Sequence, residues 1–179
     1  MDYQKIIDEY YPSENELRRI LLVHSRQVAE RCMKIAGAHP ELHLDREFLY
    51  EAAMLHDIGI CRCDAPSIAC TGSAPYICHG VIGGRMLREA GWERHARVCE
   101  RHTGTGLTRA QIESQQLPLP PDGHYEPETL EEQAVCYADK FYSKTHLDRE
   151  RTVAQAAQSL EKFGSEGVKR FLCWAKMFE

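Results

Sequence analysis

The chain has 179 residues, 43% hydrophobic and 27% charged, a composition that excludes a disordered protein and suits one globule with a radius of gyration of roughly 16 Å. Its 22 Lys and Arg stand against 27 Asp and Glu, a formal net charge of −5, which excludes an extended nucleic-acid surface built on clustered cations. The opening Met1–Lys5 lacks a basic segment leading into an apolar run, and the uncharged stretch 65–84 is broken by Pro66, Gly72, Pro75 and Gly80. Neither a secretory leader nor a membrane span is expected, and the compartment expected is the cytoplasm. There the eight Cys remain thiols. Cys32, Cys99, Cys136 and Cys173 are expected in the core.

The predicted elements are helices throughout. Ser13-x-x-Glu16 reads as a capping box, followed by Leu17, Ile20, Leu21 and Val28 at helical spacing, with Gly37 as the stop. A second helix is expected over about Asp45 to Asp57, with Gly59 beyond it. The stretch 60–75 reads as a loop. A third helix spans about Ile77 to Ala90 and a fourth about Trp92 to His102. Thr108-x-x-Gln111 opens a short helix, and four prolines make 117–127 a loop. Thr129-x-x-Glu132 caps a helix reaching about Lys144, Thr152-x-x-Gln155 starts another, and Ser165 to Phe178 reads as the last. No alternating run is long enough to mark a strand, and no linker divides the chain. One domain over 1–179 is expected, with a core of about 15–147 and the helices of 152–178 packed on it.

Polar residues on apolar faces carry the functional information. His24 shares a face with Leu17, Ile20, Leu21 and Val28. His56 shares one with Phe48, Leu49, Ala52 and Ala53, and Asp57 follows it at the helix end. His79 lies on the face of Ile82, Gly83, Met86 and Leu87. His102 lies with Trp92, His95 and Cys99, and Asp139 with Val135, Ala138 and Tyr142. A lone buried His is more often a hydrogen-bonded core residue than a ligand. An ionised Asp on an apolar face, however, costs several kcal/mol unless paired or coordinated. No Arg lies on the face of Asp57 within a turn, and Lys140 points roughly 100° away from Asp139. Imidazoles and carboxylates converging in one interior satisfy each other best around a divalent cation.

The string Leu55-His56-Asp57-Ile58-Gly59 resembles the His-Asp-Ile-Gly signature of the HD-domain metal-dependent phosphohydrolase superfamily. The wider pattern of His24, His56-Asp57 and Asp139 is similar to that superfamily's ligand set. The resemblance implies an all-α HD-type helical bundle. It implies that His24, His56, Asp57 and Asp139 hold one divalent ion, that Asp57 bridges, and that His79 and His102 hold a second. Fe, Mn, Zn, Ni and Co all suit such donors. His56 and Asp57 are the implied catalytic pair.

The implied activity is cleavage of a phosphate ester or anhydride of a small molecule, a nucleotide above all, by a metal-activated hydroxide. Two divalent ions outweigh the carboxylates and hydroxide, so the centre would attract an anionic phosphate substrate. Many family members carry Lys after this signature, where Ile60 stands here, so the substrate contact of that position is either lost or moved to Arg62. Lys140 and Arg101 adjoin implied ligands and are the other candidate substrate contacts. Three alternatives remain: a mixed-valent diiron oxygenase on the same ligands, a non-catalytic signalling or binding module, and a Cys-based zinc site at Cys61, Cys63, Cys70 and Cys78. His95 is a candidate partner behind the ligands. His39, His43, His124 and His146 are expected to face solvent.

Overall fold

A computed structural model describes residues 2–179; Met1, the first residue of the opening expected to carry no leader, lies outside the described residues. The architecture is all-α, with nine α-helices among the described residues and four short strands. Ahead of the first expected helix lies α1 (Tyr3–Tyr10), capped by Asp2. The next helix, α2 (Glu16–Ala38), starts on a different cap from the one expected. The Asn15 side chain, not Ser13, accepts the Arg18 N–H at 3.0 Å. Asn is as good a cap as Ser, and it sits one residue before the helix in extended backbone.

Helix α3 (Arg46–Leu55) ends at His56, and a 3₁₀ turn over Ile58–Arg62 follows Asp57. The expected loop then holds two-residue strands β1 (Asp64–Ala65) and β2 (Cys70–Thr71), paired antiparallel with Asp64 opposite Thr71. Helices α4 (His79–Glu89) and α5 (Glu93–Arg101) form the next pair. The short α6 (Arg109–Ser114), α7 (Leu130–Asp139) and α8 (Val153–Leu160) each begin on a complete capping box, at Thr108, Thr129 and Thr152. Helix α9 (Ser165–Phe178) closes the chain and packs on α7 and α8.

Helix α7 stops five residues before the expected end. Beyond it, β3 (Tyr142–Ser143) and β4 (His146–Glu150) form an antiparallel hairpin. No alternation marks this hairpin because β4 lies on the surface: of its five residues only Leu147 is half-buried.

The core runs through α2, α3, α4, α5, α7 and α9, with Leu21, Leu49, Leu55, Leu87, Tyr137 and Phe171 wholly buried. Two glycines set how closely α4 approaches its neighbours. A Cβ on Gly59 would stand 2.2 Å from the His79 carbonyl oxygen, and one on Gly80 would stand 2.4 Å from that of Cys99. Without side chains there, backbone meets backbone, and His79 is drawn toward both Asp57 and His102. The glycine of the His-Asp-Ile-Gly string thus serves packing as much as chain termination.

All eight cysteines are free thiols. Cys32, Cys99 and Cys136 are buried as expected, whereas Cys173 is exposed on α9. The thiols of Cys61, Cys63, Cys70 and Cys78 point at the carbonyl oxygens of Ile58, Gly59, Ile68 and Pro118.

His95 does not stand behind the ligands. Its ring packs edge-on against Phe48 and Trp92, with centroids 4.9 and 4.7 Å away, and Nε2 lies 3.4 Å from Glu51 Oε2. Burial and then the neighbouring Arg94 charge push its pKa down to about 4, with Asp45 opposing them. The unfolded chain holds His95 near the ordinary 6.5 and so binds the proton more readily than the fold. Stability from this group is therefore complete above about pH 6.5 and is lost as pH falls toward 4. Wild type should lose about 1–2 kcal/mol more than His95→Gln between pH 7 and 4.5, after allowing for partial wetting of the ring. Urea unfolding at the two pH values reads this difference directly, and equal losses would refute it.

Candidate metal centre

Six side chains from five helices meet in the bundle interior. His24 comes from the middle of α2, and His56 and Asp57 from the end of α3. His79 opens α4, His102 caps α5, and Asp139 is the last residue of α7. Five of them sit at helix ends, where chain direction rather than helical phase aims the side chain. All six are buried or nearly so.

The six form two groups that share Asp57. Potential ligand atoms of His24, His56, Asp57 and Asp139 lie within 4.8 Å of one another, as do those of Asp57, His79 and His102. Asp57 Oδ2 lies 3.2 Å from His24 Nε2 and 3.0 Å from His56 Nε2. Asp139 Oδ1 faces the same two nitrogens, at 3.0 and 3.6 Å. Asp57 Oδ1 turns the other way, 3.4 Å from His79 Nε2 and 3.5 Å from His102 Nε2. One carboxylate thus presents one oxygen to each group.

Backbone carbonyls orient three of the four rings. The Nδ1 atoms of His56, His79 and His102 lie 2.6, 2.7 and 2.7 Å from the carbonyl oxygens of Ala53, Tyr76 and Cys99. A carbonyl can only accept, so each Nδ1 carries the proton and donates it. Each Nε2 then offers its lone pair to the interior.

Despite these short separations, His24 Nε2, His56 Nε2 and both Asp57 oxygens are buried without an aligned hydrogen bond among the described residues. The atoms crowd together but do not point at one another as donor and acceptor. Ligand atoms about 2.0–2.2 Å from a common ion stand roughly 3–4.4 Å apart, and the separations here fit that range. The donor set of imidazoles and carboxylates is also one that borderline divalent ions accept.

Charge follows the same layout. Burial by itself would raise the Asp57 pKa, but the neighbouring His56 and Lys144 cations hold it well below the carboxylate range. Asp139 behaves likewise, with burial opposed by Lys140 and then by His24 and His56. For His56, burial is outweighed by the two carboxylates and the pKa rises to about 9. His79 is pushed down to about 3 by burial and by His102, and burial also lowers His102. The second group is therefore neutral in its imidazoles. At the first, an incoming ion would displace the His56 proton.

A cavity of about 580 Å³ opens onto this cluster, with His79, His102 and Asp139 in its wall. Of the three expected substrate contacts, only Lys140 lines it. Lys140 Nζ is 2.6 Å from Asp139 Oδ2 and 2.9 Å from the His102 carbonyl. Arg101 is buried elsewhere, its guanidinium 2.7 Å from Glu128 and 3.1 Å from Glu132, where it ties α5 to the start of α7. Arg62 is exposed outside the cavity wall. Ile60, in the position where a family lysine was expected, is wholly buried. The ammonium beside Asp57 comes instead from Lys144, 2.6 Å from Oδ2. Sequence reasoning missed Lys144 because it sits five residues past Asp139, out of phase for a helix, and arrives only through the hairpin. His43, His124 and His146 are exposed, and His39 is half-buried beside Glu41.

The family model for the HD domain matches residues 21–143. The chain belongs to the HD-domain family. Among similar proteins, an uncharacterized protein of Methanocaldococcus jannaschii is 37% identical over 127 residues, 65% of this chain and 67% of that protein. A tRNA (cytidine(56)-2'-O)-methyltransferase of Picrophilus torridus is 29% identical over 94% of this chain. Its counterpart from Thermoplasma volcanium is 31% identical over 82%. The chain spans less than half of either methyltransferase, 45% and 38% of their lengths. Among solved structures, the HD domain of the L. monocytogenes phosphodiesterase PgpH in complex with cyclic-di-AMP superposes with a TM-score of 0.53. It is 15% identical, over 94% of this chain and 91% of that one. At that identity the likeness is one of fold. No helix among the described residues is long and apolar enough to cross a membrane.

Proposed function

We propose that this HD domain is a binuclear phosphohydrolase acting on a small phosphate ester or anhydride, with a nucleotide as the substrate class. The observation that carries the reading is the split of Asp57, whose two oxygens face two separate imidazole groups. His24, His56, Asp57 and Asp139 would hold one divalent ion, and Asp57, His79 and His102 the other. When bound, such ions supply Lewis acidity at the phosphoryl oxygens and lower the pKa of water.

The protein's own part is positioning. Carbonyl-bonded Nδ1 atoms fix three rings, and Lys140 and Lys144 bring two ammonium groups to the cavity wall at the cluster. Cations there suit a phosphate whose charge grows in the transition state. PgpH, a phosphodiesterase with the same fold, binds cyclic-di-AMP, which supports a nucleotide ligand. The methyltransferase name belongs to proteins more than twice the length this chain covers.

Elemental analysis of the purified protein, coupled to a phosphate-release screen over nucleotides under argon, tests the reading. Two divalent ions per chain and phosphate release are expected. Oxygen consumption without phosphate release would assign the same ligands to oxygenation, and a metal-free, silent protein would assign a binding module.

A further inference from the structure

Asp57 can serve two groups only if its carboxylate is held in one rotation. The torsion that turns an aspartate carboxylate is broad, so something outside the side chain must set it. Rotation would turn both oxygens toward one group. The second group has more to lose, because Asp57 is its one carboxylate, whereas the first also has Asp139. The imidazoles do not fix the rotation, since neither Asp57 oxygen has an aligned hydrogen bond among the described residues. Charge fixes it instead. Lys144 Nζ lies 2.6 Å from Oδ2, and the two side chains are only 13% and 0% exposed. In so dry a place an ammonium at that distance holds the oxygen by charge alone.

Lys144 is itself held in place. It stands between β3 and β4, where Ser143 Oγ and Thr145 Oγ1 meet at 2.9 Å across it. Gln27, three residues after His24 on α2, donates to the Leu147 carbonyl at 2.7 Å and ties the hairpin to a ligand-bearing helix. The Tyr76 hydroxyl lies within hydrogen-bonding reach of the ammonium. The Tyr76 ring stacks on His79, with centroids 4.7 Å apart and 22° between the planes, and its carbonyl accepts the His79 Nδ1–H at 2.7 Å. A line of contacts therefore runs from Asp57 Oδ2 through Lys144 and Tyr76 to His79. It joins the two groups from outside the six ligands. Lys140 acts in parallel: its Nζ lies 2.6 Å from Asp139 Oδ2, which leaves Oδ1 to face the first group. Each carboxylate is thus held by a lysine that follows α7.

We propose that Lys144 is the positioning residue that makes Asp57 a bridge: it pins Oδ2 at the first group and so keeps Oδ1 for the second. The proposal rests on the binuclear reading above and concerns how metal is divided between the groups, not turnover.

The test titrates the chelator-stripped full chain with Mn(II). Calorimetry reads affinity, and electron paramagnetic resonance reads magnetic coupling between bound ions. Wild type should take two ions and show a coupled pair. Lys144→Met should keep the first ion, weaken the second by about 10–100-fold, the usual effect of a lost outer partner of a ligand, and abolish the coupled signal. A lysine that acted on the ions through its charge alone would do the reverse, because removing a nearby cation tightens both. Two coupled ions in Lys144→Met, or tighter binding of both, would overturn the proposal. If Lys144→Met fails to fold by circular dichroism, Tyr76→Phe removes the hydroxyl behind the ammonium and keeps the stack on His79. The second ion should again weaken selectively, and unchanged binding of both would overturn the proposal. A wild type that takes a single ion overturns the binuclear reading itself, a result distinct from two coupled ions that Lys144→Met leaves undisturbed.

Discussion

Asp57→Asn should leave the purified protein without tightly held metal and without turnover. The substitution keeps the shape of the side chain but removes the charge that two groups of imidazoles share. Each Asp57 oxygen serves a different group, so one change strikes both. The loss should exceed the 10–100-fold that a missing outer partner of a metal ligand costs. A second effect is structural, because Lys144 loses its counter-charge. Breaking a fully buried ion pair costs about 3–5 kcal/mol. Lys144 lies at a hairpin tip on the wall of an open cavity, so its ammonium can turn toward water and the cost should fall below that range. Circular dichroism should therefore show a folded, metal-free protein. If folding fails, Asp139→Asn answers the same question at one group alone, with the expected loss of one ion. An Asp57→Asn protein that retains two ions and full turnover would remove Asp57 from the centre.

The double substitution His79→Ala and His102→Ala should lower the metal content from two ions per chain to one. Both rings address Asp57 Oδ1 only, and neither is among the groups around Oδ2. Their Nε2 atoms lie 3.0 Å apart, so the pair acts as one unit and removing both avoids a half-occupied group. Turnover should fall by roughly 10²-fold or more if the second ion shares the transition-state charge. Elemental analysis gives the stoichiometry independently of activity. Retention of both ions would show that these histidines are core residues with private carbonyl partners. Loss of both would show that the two groups are not separable.

Much of this was legible residue by residue. The helices could be located because each buries one face, and that burial imposes the 3.6-residue spacing of Leu17, Ile20, Leu21 and Val28. Three capping boxes were readable because a side chain three residues along must satisfy the exposed amide groups. His24, His56, His79, His102 and Asp139 stood out as polar groups on apolar faces, and Asp57 as an acid at a helix end with no cation near in phase. The start of α2 was misplaced because two competent caps, Ser13 and Asn15, lie two residues apart. The hairpin after α7 was missed because its strands are short and exposed and leave no alternation to read.

Local periodicity alone specifies a helical bundle whose interior must accommodate four imidazoles and two carboxylates, because it records which face of each helix is dry. Which atoms meet depends on how the helices pack. Gly59 and Gly80 let backbones touch and draw His79 toward Asp57 and His102. The reversal of the chain after Asp139 brings Lys144 onto Asp57, while Arg101 is spent on Glu128 and Glu132. Helical phase reaches only along one element. The partners of a cation, and the cavity it faces, depend on elements far apart in the chain.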